Sequence, residues 1–129
     1  KLAQNLFISM STMAQYAALA CFDPATQEIL NERRDIFRTR RDFLLPALEG
    51  LGLTIPCKPD GAFYIYADAG RFTDDSEALC WRLLEEHGVA LTPGVDFGHV
   101  RAREHIRFSY ATSMDRLEEA VSRLSRVLV

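Results

Sequence analysis

A chain of 129 residues, 48% hydrophobic and 26% charged, is long enough to bury one core without disulfides or metal, and it has the composition of neither a solvated tail nor a membrane span. Its formal charge of -3 offers no positive field to nucleic acid or to an anionic membrane, so neither is an expected partner. One soluble folding unit over residues 1–129 is the expectation.

In residues 13–22, Ala14, Ala17, Ala18 and Cys21 set small side chains on one helical face, which suits close packing against a neighbour. Asp23-Pro24 is a helix start, because the aspartate can accept orphan amide bonds and proline fits the first helical position. The pairs Ile29/Leu30, Ile36/Phe37, Phe43/Leu44 and Ala47/Leu48 predict one buried stripe along a long helix, interrupted and kinked at Pro46 and stopped by Gly50 and Gly52. After the turn-forming Lys58-Pro59-Asp60-Gly61, residues 62–67 read as a strand, with Phe63 and Ile65 on one face and Tyr64 and Tyr66 on the other. Aromatic residues so placed, Phe63 and Tyr64 among them, are expected in the core.

Asp74 and Glu77 resemble a capping box for a short helix that carries Leu79, Cys80, Leu83 and Leu84 and stops at Gly88. Residues 89–91 suit a brief buried strand and residues 92–98 a loop. In residues 105–110, Ile106, Phe108 and Tyr110 alternate with Arg107 and Ser109, which predicts a third strand. Met114, Leu117, Val121, Leu124 and Leu128 close the chain with an amphipathic helix behind a Thr112/Asp115 cap. The expected fold class is an α/β sandwich: a small mixed sheet of about three strands with helices packed on it, preceded by one long helix.

Several chemistries recede on the same residues. Cys21, Cys57 and Cys80 are an odd set without close pairing, which suits a reducing compartment, and no basic segment leads into an apolar run at the start, so a cytoplasmic location is expected. His87, His99 and His105 show no metal-ligand spacing with each other or with the cysteines, and no metal is expected. A Gly-x-Ser-x-Gly elbow is missing, and Gly50-Leu51-Gly52 lacks the third glycine of a dinucleotide loop. Arg33, Arg34, Arg38, Arg40 and Arg41, interleaved with Glu32, Asp35 and Asp42, read as the solvated side of the long helix. The chain starts at Lys1 and enters helix-like sequence at once, which reads as a piece of a longer protein.

Three segments carry a resemblance. Lys58-Pro59-Asp60-Gly61-Ala62-Phe63-Tyr64-Ile65-Tyr66-Ala67-Asp68, then Val89-Ala90-Leu91-Thr92-Pro93-Gly94-Val95-Asp96-Phe97-Gly98, then His105-Ile106-Arg107-Phe108-Ser109-Tyr110-Ala111 are similar, in this order, to the small domain of the class I and II aminotransferases of fold type I. Residues 5–19 also resemble the segment that follows the large domain in that family, which makes residues 1–22 the expected connection from a missing N-terminal large domain.

The resemblance implies transfer of an amino group from an amino acid to a 2-oxo acid through pyridoxal 5'-phosphate, in a homodimer. It implies that Arg107 grips the substrate α-carboxylate, with Gly61, Phe63, Gly94 and Phe97 shaping the site; outside that context Arg107 reads as an ordinary strand arginine or ion-pair member. A planar guanidinium suits the role because it forms two parallel charge-assisted bonds to a carboxylate. In the family the Schiff-base lysine and the main phosphate-binding residues lie in the large domain, so no catalytic residue and no covalent cofactor are expected in this fragment, which alone should be inactive. Lys1 lacks the context of that lysine. The rival reading is a stand-alone small-molecule-binding or regulatory module of the same topology, without catalysis.

Overall fold

The computed structural model describes residues 1–128. The chain divides into two units, Lys1–Ile36 and Phe37–Val129, where composition led to one.

The first unit holds helix α1, Leu2–Phe7, helix α2, Thr12–Ala20, and the start of helix α3, Pro24–Gly50. Ser11 caps α2 by accepting the amide of Ala14 at 3.3 Å. The carbonyl of Asp23 accepts the amide of Gln27 at 2.9 Å, so α3 starts with Pro24 at its first position. No residue of α1 or α2 is buried, and Leu6, Phe7, Met13, Tyr16 and Phe22 are all exposed. The buried stripe expected along α3 is corrected here, because Ile29, Leu30 and Ile36 are exposed.

In the second unit the stripe does hold: Leu44 and Leu48 are buried, and Phe37, Phe43 and Leu45 pack against the core. The helix is continuous through the expected interruption, since an exposed Pro46 removes only its own amide from the ladder. After Gly50, Gly52 turns the chain at φ 90°, a left-handed backbone that favours glycine. Strand β1, Tyr64–Asp68, helix α4, Ser76–His87, strand β2, Thr92–Pro93, strand β3, His105–Ser109, and helix α5, Met114–Leu124, follow.

The sheet order is β1-β3-β2, and both pairings are antiparallel, which corrects the expected mixed sheet. The link between β2 and β3, residues 94–104, holds only two short 3-10 turns, Gly94–Asp96 and Ala102–Glu104; a parallel partner would need a longer crossover, usually with a helix.

Local chemistry explains the displaced boundaries. Strand β1 starts after the expected position because Ala62 sits at φ 64°, outside extended geometry. Val89 is buried but not in a strand: its amide donates to the Leu83 carbonyl at 3.0 Å, closing α4 together with the Gly88 amide on Leu84, and so is unavailable to a ladder. The cap of α4 is Asp75, not Asp74, and accepts the amide of Ala78 at 3.1 Å. Ser113 precedes α5 without a side-chain cap bond, in place of the expected Thr112/Asp115 cap.

The period of the strands sorts the sheet faces. Ile65 and Ala67 of β1, with Ile106 and Phe108 of β3, turn into the core with Leu48, Leu83 and Leu124. Each large apolar side chain so buried contributes about 1.5–3 kcal/mol. The register pairs Tyr66 with Arg107 and Asp68 with His105, so the opposite face carries a polar and aromatic set. Phe63 and Tyr64 are 45% and 37% exposed, and the core placement expected for them is corrected. Among the described residues no helix is long and apolar enough to cross a membrane.

Candidate functional site

The polar face of the sheet opens into a cleft of about 540 Å³ lined by Tyr64, Tyr66, Phe97, Gly98, His99, Val100, Ala102 and Arg107. Strand β3 sets Arg107 in the middle of the sheet, with Tyr66 as its register partner on β1 and Thr92 on β2. Its Nη2 donates to Thr92 Oγ1 at 3.1 Å. The guanidinium carbon lies 4.7 Å from the ring centre of Phe97 and 5.6 Å from that of Tyr64. Nε is buried and finds no hydrogen-bond partner among the described residues. Among the described residues no carboxylate pairs with Arg107. A half-buried cation with an unmet donor is costly unless a ligand completes it, and a cleft containing such a group is suited to an anion.

A second set of contacts braces the cleft. The Tyr66 ring stacks on His105 at 4.9 Å and 15°, and Phe97 meets it edge-on at 6.2 Å. Burial raises the Tyr66 hydroxyl pKa above its ordinary value. His105 Nδ1 is 2.8 Å from the Arg101 carbonyl. Arg101 takes a left-handed conformation, φ 51°, unusual for a side chain of its size, and its guanidinium bonds Asp68 at 2.8 Å and Glu104 at 2.6 Å. These contacts tie the loop after Phe97 back to the edge of β1.

Burial works against the charged form of Asp68, but the Gly70 amide, the Arg101 hydrogen bond and the charges of Arg101 and His105 outweigh it and hold the carboxyl pKa below 3.8. A group depressed in the folded state contributes stability above its unfolded value and loses it as pH falls through the folded one. Wild type should therefore be more stable than Asp68→Asn at neutral pH, with the gap closing below pH 3.8. Urea midpoints across that range check this; a gap constant with pH would contradict it.

Of the residues expected to bind or shape a site, Arg107 and Phe97 meet in the cleft. Gly94 lies behind it, packed against the Ala102 and His105 carbonyls and the Tyr66 hydroxyl. Gly61 and Phe63 do not line it: the Gly61 carbonyl accepts the buried Tyr110 hydroxyl at 3.1 Å, and Phe63 stands edge-on to Tyr64 at 5.4 Å. Tyr66, Thr92 and His105 were not singled out by sequence. Strand alternation would have placed Tyr66 and His105 beside Arg107, whereas the bond that Thr92 accepts from Arg107 depends on a two-residue strand too short to leave a pattern.

Lys1 and Lys58 are the chain's only lysines. Lys58 pairs with Glu49 at 3.4 Å and does not line the cleft. No cleft side chain can therefore supply an amine for covalent attachment of an aldehyde cofactor. Cys80 offers no thiolate nucleophile either, since burial and then the charge of Asp96 push its pKa up to about 11.

A family model, aminotransferase class I and II, matches residues 1–124. The chain is 38% identical over 99% of its length to a (5-formylfuran-3-yl)methyl phosphate transaminase of Methanocaldococcus jannaschii, covering 33% of that protein. It is 41% identical over 93% of its length to an aspartate/prephenate aminotransferase of Thermus thermophilus, covering 30% of it. Among solved structures, an aminotransferase from Mycobacterium tuberculosis superposes with a TM-score of 0.90 at 36% identity, over 98% of this chain and 33% of that one. The chain thus spans about a third of the length of the relatives it matches. With a family match running from the first helix through α5, and solved aminotransferases that superpose on its small antiparallel sheet and helices, the chain belongs to the class I and II aminotransferase family.

Proposed function

We propose that this chain is the carboxyl-terminal small domain of a pyridoxal-phosphate-dependent aminotransferase, and that Arg107 receives the α-carboxylate of the amino acid and of the 2-oxo acid. The observation that carries the reading is the state of Arg107: half-buried beside an open cleft, held by Thr92 and two aromatic rings, with Nε unpartnered and no acid paired to it. A substrate carboxylate entering the cleft supplies the missing charge, and two parallel bonds from the guanidinium fix its orientation. Phe97 borders the arginine directly; Gly94 packs behind the cleft, and Phe63 acts at one remove, edge-on to Tyr64, whereas Gly61 holds the Tyr110 hydroxyl away from the cleft.

The family depends on pyridoxal phosphate in general, and when bound the cofactor supplies the electron sink for amino transfer. The residues of this cleft do not fit its covalent attachment, since none is a lysine. We assign that attachment to a large domain preceding this chain in the same protein, and the order of the three family-like segments supports the assignment. The exposed apolar side chains of residues 1–36 agree with it, because so large an apolar set ordinarily meets another surface. A homodimer in the cytoplasm, with amino acids and 2-oxo acids as its ligands, completes the proposal.

The test is paired. The intact protein containing this chain should show the visible absorbance of bound pyridoxal phosphate and should move amino groups from a panel of amino acids to 2-oxoglutarate, while the isolated chain should do neither. Amino transfer by the isolated chain would overturn the domain assignment. An intact protein that binds carboxylates but no pyridoxal phosphate would favour the non-catalytic binding module.

A further inference from the structure

We infer that Phe97 is a positioning residue for Arg107, setting the plane in which the guanidinium presents its donors; the inference rests on the carboxylate reading of the cleft. A guanidinium at the end of a long side chain must have both its plane and its rotation within that plane fixed before it can offer a two-bond fork. Thr92 Oγ1, 3.1 Å from Nη2, controls the rotation within the plane. The plane itself has no hydrogen-bonding partner to hold it, since Nε is buried without one. What lies nearest across the face is the Phe97 ring, 4.7 Å from the guanidinium carbon, nearer than the 5.6 Å to Tyr64. A cation over an aromatic face is attracted by the ring quadrupole, more strongly where water is kept away.

A positioning group must itself be held, and Phe97 is, although half of its surface is exposed. Its amide donates to the Gly94 carbonyl at 2.9 Å, and its ring meets Tyr66 edge-on at 6.2 Å. Tyr66 is stacked on His105, whose Nδ1 is 2.8 Å from the Arg101 carbonyl. The orientation of the carboxylate-binding fork is thus set by a row of held rings reaching to the far end of the loop. Gly94 allows this row to close, because its missing side chain leaves room for the Tyr66 hydroxyl.

The experiment uses the intact protein and compares wild type, Phe97→Leu, Phe97→Tyr and Arg107→Ala. Phe97→Leu keeps apolar bulk and loses the aromatic face; Phe97→Tyr keeps the face. KM and kcat are measured for two amino acids of different side chain and for the corresponding amines without the α-carboxylate. Phe97→Leu should raise KM for both amino acids about 3- to 30-fold, the span of a cation–π contact, with the amines unchanged and Phe97→Tyr within about twofold of wild type. The inference is overturned if Phe97→Leu leaves the amino-acid KM at the wild-type value, if its effect follows the side chain and not the carboxylate, or if Phe97→Tyr fails to restore it. If Arg107→Ala also leaves amino acids unaffected, the carboxylate reading falls and this inference with it; a loss in Arg107→Ala alone removes only the role of Phe97.

Discussion

Arg107→Ala in the intact protein should lower kcat/KM for amino acids by roughly 30-fold to several thousand-fold, which corresponds to the 2–5 kcal/mol typical of a buried charge pair stripped of one partner. The magnitude follows from what the substrate meets: with the arginine gone, a carboxylate entering between Tyr64 and Phe97 would lose its water without gaining the guanidinium's charge or its paired donors. Arg107→Lys should recover part of the loss, because it keeps the charge but not the flat fork that stacks on Phe97. Bound cofactor absorbance should survive in both. Folding should change little, since loss of the Thr92 bond and the two ring contacts is offset by removal of a buried Nε that has no partner. A urea midpoint that holds or rises while kcat/KM falls would mark Arg107 as a group kept for binding at some cost to stability.

Gly94→Ala should have the largest effect on stability, a loss of about 3 kcal/mol or more. A Cβ there would stand 2.3 Å from the Ala102 carbonyl oxygen and 2.7 Å from that of His105, and also 2.6 Å from the Tyr66 hydroxyl. Two of the three obstacles are backbone on either side of the turn into β3, so relief requires moving the turn and not merely a side chain. Gly98→Ala is the control, since a Cβ at Gly98 meets nothing within 4 Å. Denaturant unfolding of the two variants checks the contrast, and equal midpoints would show that the packing around Gly94 is not as described.

What sequence made legible were features carried by local periodicity. Alternation over residues 105–109 put Ile106 and Phe108 in the core and Arg107 on the other face, and the seven-residue spacing of apolar pairs located α3. The periodicity did not tell how far along α3 the stripe is covered, because burial of Ile29 depends on what lies across from it and not on its spacing. Val89 to Leu91 had the composition of a strand, yet the capping of α4 uses the Val89 amide. At the site, the family-like segments singled out Arg107 and Phe97, but the contact between them joins residues ten positions apart across a turn, which no local pattern encodes. Tyr66 was read only as the second tyrosine of a strand face; its role appears once the register sets it opposite Arg107.

Binding of the α-carboxylate by Arg107 is read out by a two-by-two comparison in the intact protein: wild type and Arg107→Ala, each with an amino acid and with the amine that lacks only its α-carboxylate. Wild type should favour the amino acid, Arg107→Ala should lower kcat/KM for the amino acid by about 30-fold or more, and both proteins should handle the amine alike. Equal losses for amino acid and amine would contradict it, because the arginine would then support the fold or the cleft as a whole and not the carboxylate.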